Sequence, residues 1–301
     1  MSHATSAQPF RAIALKLVAV TLFVIMAALV KSASDHVPPG EAVFFRSLFA
    51  IPVILGALIL RSELRGGLRV VEPMAHVWRG LVGTTAMGLS FTGLALLPFA
   101  EVKAIQYATP LLVVIFAAMF LGERVRAFRL TAVALGLAGV LIILSPRLGG
   151  LESGNDRLAL GAVVVLASSV CAALAQVFVR KLVVTESTNA IVFWFSVTAS
   201  CLSLLTIPFG WVWPTPGEAT LLVSAGLLGG VAQLFATSAY RYADVSVVAP
   251  FDYASMLLAL GIGFFLFDEV PTGVMLGGAA LVVAGGVLII WRERQLGLER
   301  G

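Results

Sequence analysis

The feature that most constrains this chain is an internal duplication of two long apolar segments. Residues 240–290 align with residues 94–144 without a gap. The aligned pairs include Tyr107 with Tyr253, Ala108 with Ala254, Glu123 with Glu269, and Gly139 with Gly285. An apolar composition produces chance matches of Leu and Val, but it does not place a Tyr-Ala pair, a Glu at a segment end and a Gly at one common offset. We therefore interpret the two stretches as copies of one membrane hairpin.

The composition indicates a surface that faces lipid. Of 301 residues, 59% are hydrophobic and only 12% are charged, whereas a soluble domain carries about 25% charged residues. Mean hydropathy is +1.01. Since a membrane span needs about 20 mostly apolar residues, ten spans with short loops use nearly the whole chain and leave no loop for a soluble domain.

Ten apolar runs are the predicted membrane spans. They cover residues 13–30, 42–60, 77–96, 102–121, 130–144, 158–179, 190–209, 218–240, 245–267 and 272–291. Only helices and closed barrels satisfy every backbone group in lipid, and a barrel requires an alternation of apolar and polar residues that these runs lack. The sequence therefore predicts an all-α integral membrane protein with ten transmembrane helices.

The Lys and Arg residues predict the orientation of these spans. With the N-terminus in the cytoplasm, the inner segments hold most of the basic residues, namely Arg11, Lys16, Arg61, Arg65, Arg69, Arg79, Arg124, Arg126, Arg129, Arg180, Lys181, Arg241, Arg292, Arg294 and Arg300. The outer side has Arg147 and Arg157 in loops, with Lys31 and Lys103 near span ends. The positive-inside rule then makes residues 1–10 and 293–301 cytoplasmic tails.

The number of spans in each half predicts how the two halves are oriented relative to each other in the membrane. Residues 11–146 and 147–292 each contain five predicted spans, so the second copy enters the membrane from the opposite side. The duplication therefore predicts two inverted five-helix repeats related by a pseudo-two-fold axis in the membrane plane. Inverted repeats suit a carrier that opens to each side of the membrane in turn.

Short motifs in these spans carry a family resemblance. They are Phe45-Arg46, Trp78-Arg79-Gly80, Pro110, Leu121-Gly122-Glu123-Arg124 and Gly139-Val140-Leu141, with Phe267-Asp268-Glu269 and Ala284-Gly285-Gly286-Val287 in the second half. With these motifs the chain resembles the drug/metabolite transporter superfamily, in its EamA-type branch of ten-span carriers. It departs from the pattern where Met256 stands in place of the proline expected from Pro110, and where Asp268 stands in place of a glycine.

The resemblance implies a secondary transporter of the bacterial inner membrane that moves small metabolites. The branch that the chain is most similar to exports aromatic and other amino acids. The alternative is an uptake carrier for a vitamin, a nucleoside or a similar metabolite. Either function predicts a small-molecule substrate, a coupling proton, a surrounding lipid bilayer and a monomeric or homodimeric protein.

Polar side chains inside the spans are the candidate substrate contacts, because an ionised group at mid-span costs about 2.5–3.5 kcal/mol. Arg46 in the second span is either a contact for a carboxylate or a packing arginine that pairs or reaches toward the interface. The equivalent pairs Gln106-Tyr107 and Asp252-Tyr253 are predicted to line a central cavity, the alternative being hydrogen bonds between helices. Asp252 is the candidate for proton coupling. The further candidates are Gln176, Gln233 and Lys31.

Other residues and other protein classes fit less well. Arg79 is interpreted as an orientation anchor, and Glu41, Glu101, Glu123 and Glu269 as groups that cap helices or lie in the interface.

The sequence has no G-x-x-x-x-G-K-[ST] motif of a nucleotide-driven pump and no H-E-x-x-H or G-x-S-x-G motif of an enzyme. We therefore predict no catalytic residues, no metal, no cofactor and no nucleic-acid partner. A receptor or scaffold would not require an inverted duplication.

Overall fold

The computed structural model describes residues 9–60, 62, 66–121, 127–148, 156–242, 251–252 and 254–298. Within these ranges the regular structure is entirely helical. The helices are α1 (Pro9–Ala33), α2 (Pro39–Leu48), α3 (Ala50–Leu60), α4 (Pro73–Leu96), α5 (Phe99–Gln106), α6 (Ala108–Leu121), α7 (Ala127–Leu148), α8 (Asp156–Thr185), α9 (Thr188–Leu204), α10 (Pro216–Tyr242), α11 (Ala254–Phe267) and α12 (Gly273–Leu298).

These helices confirm the prediction of an all-α membrane protein. When α2 is taken with α3 and α5 with α6, the helices follow the ten predicted segments in order, and we call these segments span 1 to span 10. Five of them are long and apolar enough to cross a bilayer by themselves, namely Phe10–Ala33, Pro39–Leu60, Phe99–Phe120, Asp156–Thr185 and Pro216–Tyr242.

Spans 2 and 4 are interrupted, whereas the sequence predicted one helix for each. The breaks lie at Phe49 and Tyr107. In both cases a proline follows three residues later, Pro52 or Pro110. Proline has no backbone N–H and its ring clashes with the carbonyl four residues before it, so a helix bends or stops on its N-terminal side.

Most span ends differ from the predicted limits by a few residues; α8, for example, continues to Thr185, beyond residue 179. Helix α9 ends at Leu204, before residue 209, and a 3-10 turn at Ile207–Phe209 follows it. Pro208 lies in that turn, and Gly210 closes it with a φ of +94°, a backbone angle that favours glycine. At the other end of the chain, α12 continues to Leu298, beyond residue 291.

The helix contacts among the described residues follow the symmetry of the repeats. Span 1 packs extensively against span 8, and span 3 packs in the same way against span 6. Exchanging the two halves converts one of these contacts into the other. Span 5 packs against its own counterpart, span 10, and spans 2 and 4 likewise contact spans 7 and 9. The chain therefore folds as two repeats around a pseudo-two-fold axis.

The contact between spans 5 and 10 depends on glycine. A Cβ atom placed on Gly139 would lie 2.5 Å from the carbonyl oxygen of Gly278, and one on Gly278 would lie 2.6 Å from the carbonyl oxygen of Gly139. The two backbones approach each other at a distance that larger residues would prevent. Gly139 and Gly278 therefore serve helix packing within the chain.

Candidate functional site

A cavity of about 340 Å³ lies between the two repeats. Spans 1 to 4 and 6 to 9 line it, and the described residues of spans 5 and 10 do not. Six of the eight predicted site residues line this one cavity, namely Arg46, Gln106, Tyr107, Gln176, Gln233 and Asp252. Tyr253 lies outside the described residues, and Lys31 does not reach the cavity. Substrate binding by these residues stays a prediction.

Arg46 enters the cavity from α2 and is only 3% exposed. Its Nη2 atom lies 3.5 Å from the Gly229 carbonyl oxygen and 3.5 Å from Oε1 of Gln233. A Cβ atom at Gly229 would lie 3.0 Å from Arg46 Nε, so this glycine leaves the room that the guanidinium occupies. Among the described residues, Nε and Nη1 of Arg46 have no hydrogen-bond partner.

Arg79 enters the cavity from α4 and is 6% exposed. Its guanidinium carbon lies 3.9 Å from the centre of the Phe195 ring, and that of Arg46 lies 5.6 Å from the same ring. A Cβ atom at Gly83 would lie 1.9 Å from Arg79 Nη1. Nε and Nη1 of Arg79 also have no hydrogen-bond partner within the described part of the chain. The interpretation of Arg79 as an orientation anchor was wrong, because its side chain turns into the bundle.

An ion pair joins span 1 to the second repeat. Lys16 Nζ lies 2.7 Å from Asp252 Oδ1, with the two side chains 6% and 23% exposed. The ammonium also lies 5.5 Å from the centre of the Tyr240 ring. The Tyr240 hydroxyl in turn donates to Oε1 of Gln176 at 3.1 Å. Asp252 therefore has a cation as its partner at one side of the cavity.

Span 4 brings a lysine, an amide and a hydroxyl to the cavity. Lys103 Nζ donates a long hydrogen bond of 3.4 Å to Oε1 of Gln106, and Gln106 Nε2 donates to Ser90 Oγ at 2.6 Å. The Tyr107 hydroxyl lies 2.8 Å from Ser255 Oγ and so links spans 4 and 9. The break at Tyr107 places these groups at the middle of the bundle.

The charge of the cavity is unbalanced. Four cationic side chains line it, namely Lys16, Arg46, Arg79 and Lys103. Asp252 is the one carboxylate among the described lining residues, and Lys16 already pairs with it. Isolated charges are costly in a low-dielectric interior unless a counter-charge is present. The remaining three cations therefore favour a bound anionic group.

One end of the bundle, which we call the Lys31 end, is closed. Lys31 Nζ donates to the carbonyl oxygens of Leu94 and Leu97 at 2.7 and 3.0 Å, at the C-terminus of α4. Lys31 does not line the cavity and these carbonyls hold its ammonium, so its predicted contact with substrate stays a prediction. Glu269 accepts the backbone N–H groups of Phe99 and Ala100 at 2.6 and 2.9 Å. Its predicted role as a helix cap is confirmed.

At the opposite end, which we call the Glu186 end, another carboxylate accepts hydrogen bonds from a segment that is distant in the chain. Glu186 Oε1 accepts the backbone N–H groups of Val71 and Glu72 at 2.6 and 2.9 Å and lies 3.3 Å from His76 Nε2. Burial acts to raise the pKa of the Glu186 carboxyl. The two backbone donors and His76 outweigh it, so the pKa lies below its ordinary value.

Sequence reasoning missed several residues of this cavity. Lys16 and Lys103 were counted only as topology signals, and Phe195, Ser90 and Ser255 were not selected. A signal was present for the two lysines, because both lie inside predicted spans (13–30 and 102–121), where a charge needs a partner. No such signal marked the other three residues, since a Phe or Ser is ordinary in a membrane helix.

A family model covers nearly the whole chain. The EamA-like transporter family matches residues 10–145 and 159–291, one match for each repeat. The chain belongs to this family. It is therefore a membrane transporter, and the resemblance stated from its motifs is confirmed.

Individual relatives of the transporter differ in cargo. The chain is 34% identical over 272 residues to the pseudopaline exporter of Pseudomonas aeruginosa, covering 89% of each chain. It is 29% identical to the riboflavin transporter of Rhizobium johnstonii, covering 85% of this chain and 82% of that one. A crystal structure with 26% sequence identity matches with a TM-score of 0.71, covering 95% of this transporter and 98% of that chain.

Proposed function

We propose that this transporter exports amino acids, aromatic and others, across the bacterial inner membrane by alternating access. The observation that carries the proposal is the excess of positive charge in the cavity, where Arg46, Arg79 and Lys103 lack a carboxylate partner among the described residues. An amino acid brings a carboxylate into this excess of positive charge. The relative that exports pseudopaline supports the outward direction.

The neutral and acidic groups of the cavity suit the rest of an amino acid. Asp252 offers a carboxylate that a cargo ammonium group would bind in place of the Lys16 ammonium. Tyr107, with Ser255 beside it, offers an aromatic face and a hydroxyl. Asp252 is also the candidate for the coupling proton, because a carboxylate that exchanges a proton inside the pathway links cargo movement to the pH gradient.

The alternative function is uptake of a vitamin, a nucleoside or a similar metabolite. The riboflavin transporter among the relatives favours it. Riboflavin has no carboxylate, however, and would leave the cations of the cavity without a counter-charge. The charge of the cavity therefore favours amino-acid cargo.

Resistance of intact cells tests the proposed cargo. Overexpression in cells loaded with toxic amino-acid analogues is expected to raise the tolerated concentration severalfold, and Lys103→Gln is expected to abolish that gain. Lys181→Gln is the matched control, because it removes a lysine that is exposed outside the cavity, and it should keep the resistance. Unchanged sensitivity across a broad panel would contradict amino-acid export.

Proteoliposomes separate the two cargo classes. We expect labelled amino acid to move faster when a pH gradient is imposed, and unlabelled amino acids to compete with it. Riboflavin should not compete. Competition by riboflavin together with no effect of amino acids would favour the alternative function.

A further inference from the structure

Arg46 and Arg79 form a cluster that the binding of a simple amino acid does not require. The cluster lies where spans 2, 3, 7 and 8 meet, whereas Lys103, Gln106 and Tyr107 belong to span 4. The guanidinium carbons of Arg46 and Arg79 lie 5.6 and 3.9 Å from the centre of the same Phe195 ring. Two like charges held together in a buried site point to an anion that binds between them.

The surroundings of both guanidiniums are built to hold them. Gly229 leaves room for Arg46, and Gly83 leaves room for Arg79, because a Cβ atom at either position would meet the guanidinium within 3.0 Å. The two side chains are 3% and 6% exposed. Each nevertheless keeps Nε and Nη1 without a hydrogen-bond partner in the described residues. Since Nε and the Nη atoms of an arginine suit the two oxygens of one carboxylate, the unpaired Nε and Nη1 donors are able to bind a carboxylate.

We propose that Arg46 and Arg79, beside the Phe195 ring, form a second anion subsite that binds an additional carboxylate of the cargo. The subsite makes the transporter select amino acids with two carboxylates over their neutral amide analogues. This inference rests on the proposed function, since it adds a second contact to an amino-acid cargo whose first carboxylate binds on the Lys103 side.

The test compares cargo pairs that differ in one carboxylate. Binding to the purified full-length transporter is measured by calorimetry for L-glutamate against L-glutamine and for succinate against its monoamide. One charge-assisted contact is worth roughly tenfold or more in affinity. We therefore expect wild-type protein to bind the acid about tenfold to a hundredfold more tightly than the amide in both pairs.

Arginine variants assign that preference to the cluster. Arg46→Gln and Arg79→Gln should each bring the ratio of acid to amide affinity close to one. Arg79→Lys, which keeps the charge without the planar fork, and Gly83→Ala, which displaces the guanidinium, should each lower it severalfold. Arg69→Gln removes an exposed arginine outside the cavity and should keep the wild-type ratio. Lys103→Gln should weaken glutamate and glutamine by a similar factor.

The possible outcomes separate this inference from the proposed function. Equal binding of glutamate and glutamine by wild-type protein, or an unchanged ratio in both Arg→Gln variants, would overturn the second subsite and leave amino-acid export standing. Arginine-dependent binding of succinate without binding of either amino acid would support the subsite and contradict the proposed cargo. Inorganic phosphate is included as a competitor. If phosphate displaces succinate and glutamate shows no preference over glutamine, the site is one for phosphate and the inference is wrong.

Discussion

At the scale of single residues, the pair formed by Lys16 and Asp252 shows how the cavity is balanced. Both side chains are shielded from solvent and their charged atoms lie 2.7 Å apart. A buried ion pair adds little net stability compared with an apolar pair, but removing one partner leaves an uncompensated charge. The effect on stability of replacing one of these residues should therefore depend on whether the other is present.

A double-mutant cycle tests this dependence. Asp252→Asn is expected to lower the unfolding free energy by about 3–5 kcal/mol, because it leaves the Lys16 ammonium buried without a counter-charge. Adding Lys16→Met should restore most of that loss. The measurement is unfolding of the detergent-solubilised protein for wild type, both single variants and the double variant. Additive losses would mean that the ion pair is not coupled.

The sequence identified residue types more reliably than the direction of their side chains. Arg46, Gln106 and Asp252 stood out because polar groups inside a span need a reason, and the structure places them in the cavity. Arg79 and Lys16 were assigned to topology from their positions near span ends. Position along a span does not reveal which way a helix is rotated, and that rotation is set by packing against helices far away in the chain.

At the scale of elements, carboxylates from one segment cap the backbone of another. Glu269 caps the start of α5. Glu41 accepts a hydrogen bond from the Val212 N–H at 3.0 Å. Glu186 accepts hydrogen bonds from the N–H groups of Val71 and Glu72. Amide groups at a helix N-terminus have no partner within the helix. A buried carboxylate that accepts two of them fixes the chain entering the next span.

Glu186 makes the stability of one such contact depend on pH. The pKa of its carboxyl is lowered in the folded protein, so its stabilisation is complete above the ordinary value of 4.5 and is lost as the pH falls through the folded value. Glu186→Gln should lower the unfolding free energy by about 1–3 kcal/mol at neutral pH.

Unfolding of both proteins over a series of pH values measures this effect. The difference between wild type and Glu186→Gln should shrink as the solution becomes more acidic. Asp35→Asn, which neutralises an exposed carboxylate, should change stability little at any pH. A difference that stays constant below pH 4.5 would contradict a role for the ionised carboxylate.

Helix interruptions were harder to predict than helices. The apolar runs gave the spans, but Pro52 and Pro110 each lie inside a run, and a proline inside a membrane helix either bends it or stops it. The structure shows breaks at Phe49 and Tyr107. The proline shows where a break is possible, and the packing of neighbouring helices decides whether it forms.

At the scale of the whole molecule, the cavity extends from the middle of the bundle toward the Glu186 end. Its lining in α1 runs from Lys16 to Met26, and in α10 from Gln233 to Tyr240. At the Lys31 end, Val30, Leu94, Leu97 and Phe99 are each at most 2% exposed and belong to one apolar cluster. The cavity is therefore closed on that side.

Cysteine labelling tests the accessible side. In a background with Cys171 and Cys201 replaced by Ser, Ser90→Cys in the cavity should react faster with an impermeant thiol reagent in inside-out vesicles than in right-side-out ones. His36→Cys, at the Lys31 end and 51% exposed, is the matched control and should show the opposite preference. Faster labelling of Ser90→Cys from the outer side would contradict the proposed orientation.

The repeat was the part of the architecture that the sequence predicted best. An ungapped alignment of 94–144 with 240–290 requires two similar units, and the exchange of helix contacts between the halves follows from it. The cavity between the units could not be predicted in detail, because its walls combine residues from eight spans that are distant in the chain.

The glycine contact between spans 5 and 10 bears on how such a chain arose. Each of these helices packs against its own counterpart, which is the relationship that two identical subunits share across a symmetric dimer interface. A half-length ancestor that inserted in both orientations would already have possessed this contact. In such an ancestor a connecting peptide would be enough to fuse the two copies, and the two halves could then carry different residues at equivalent positions, as Gln106 and Asp252 do.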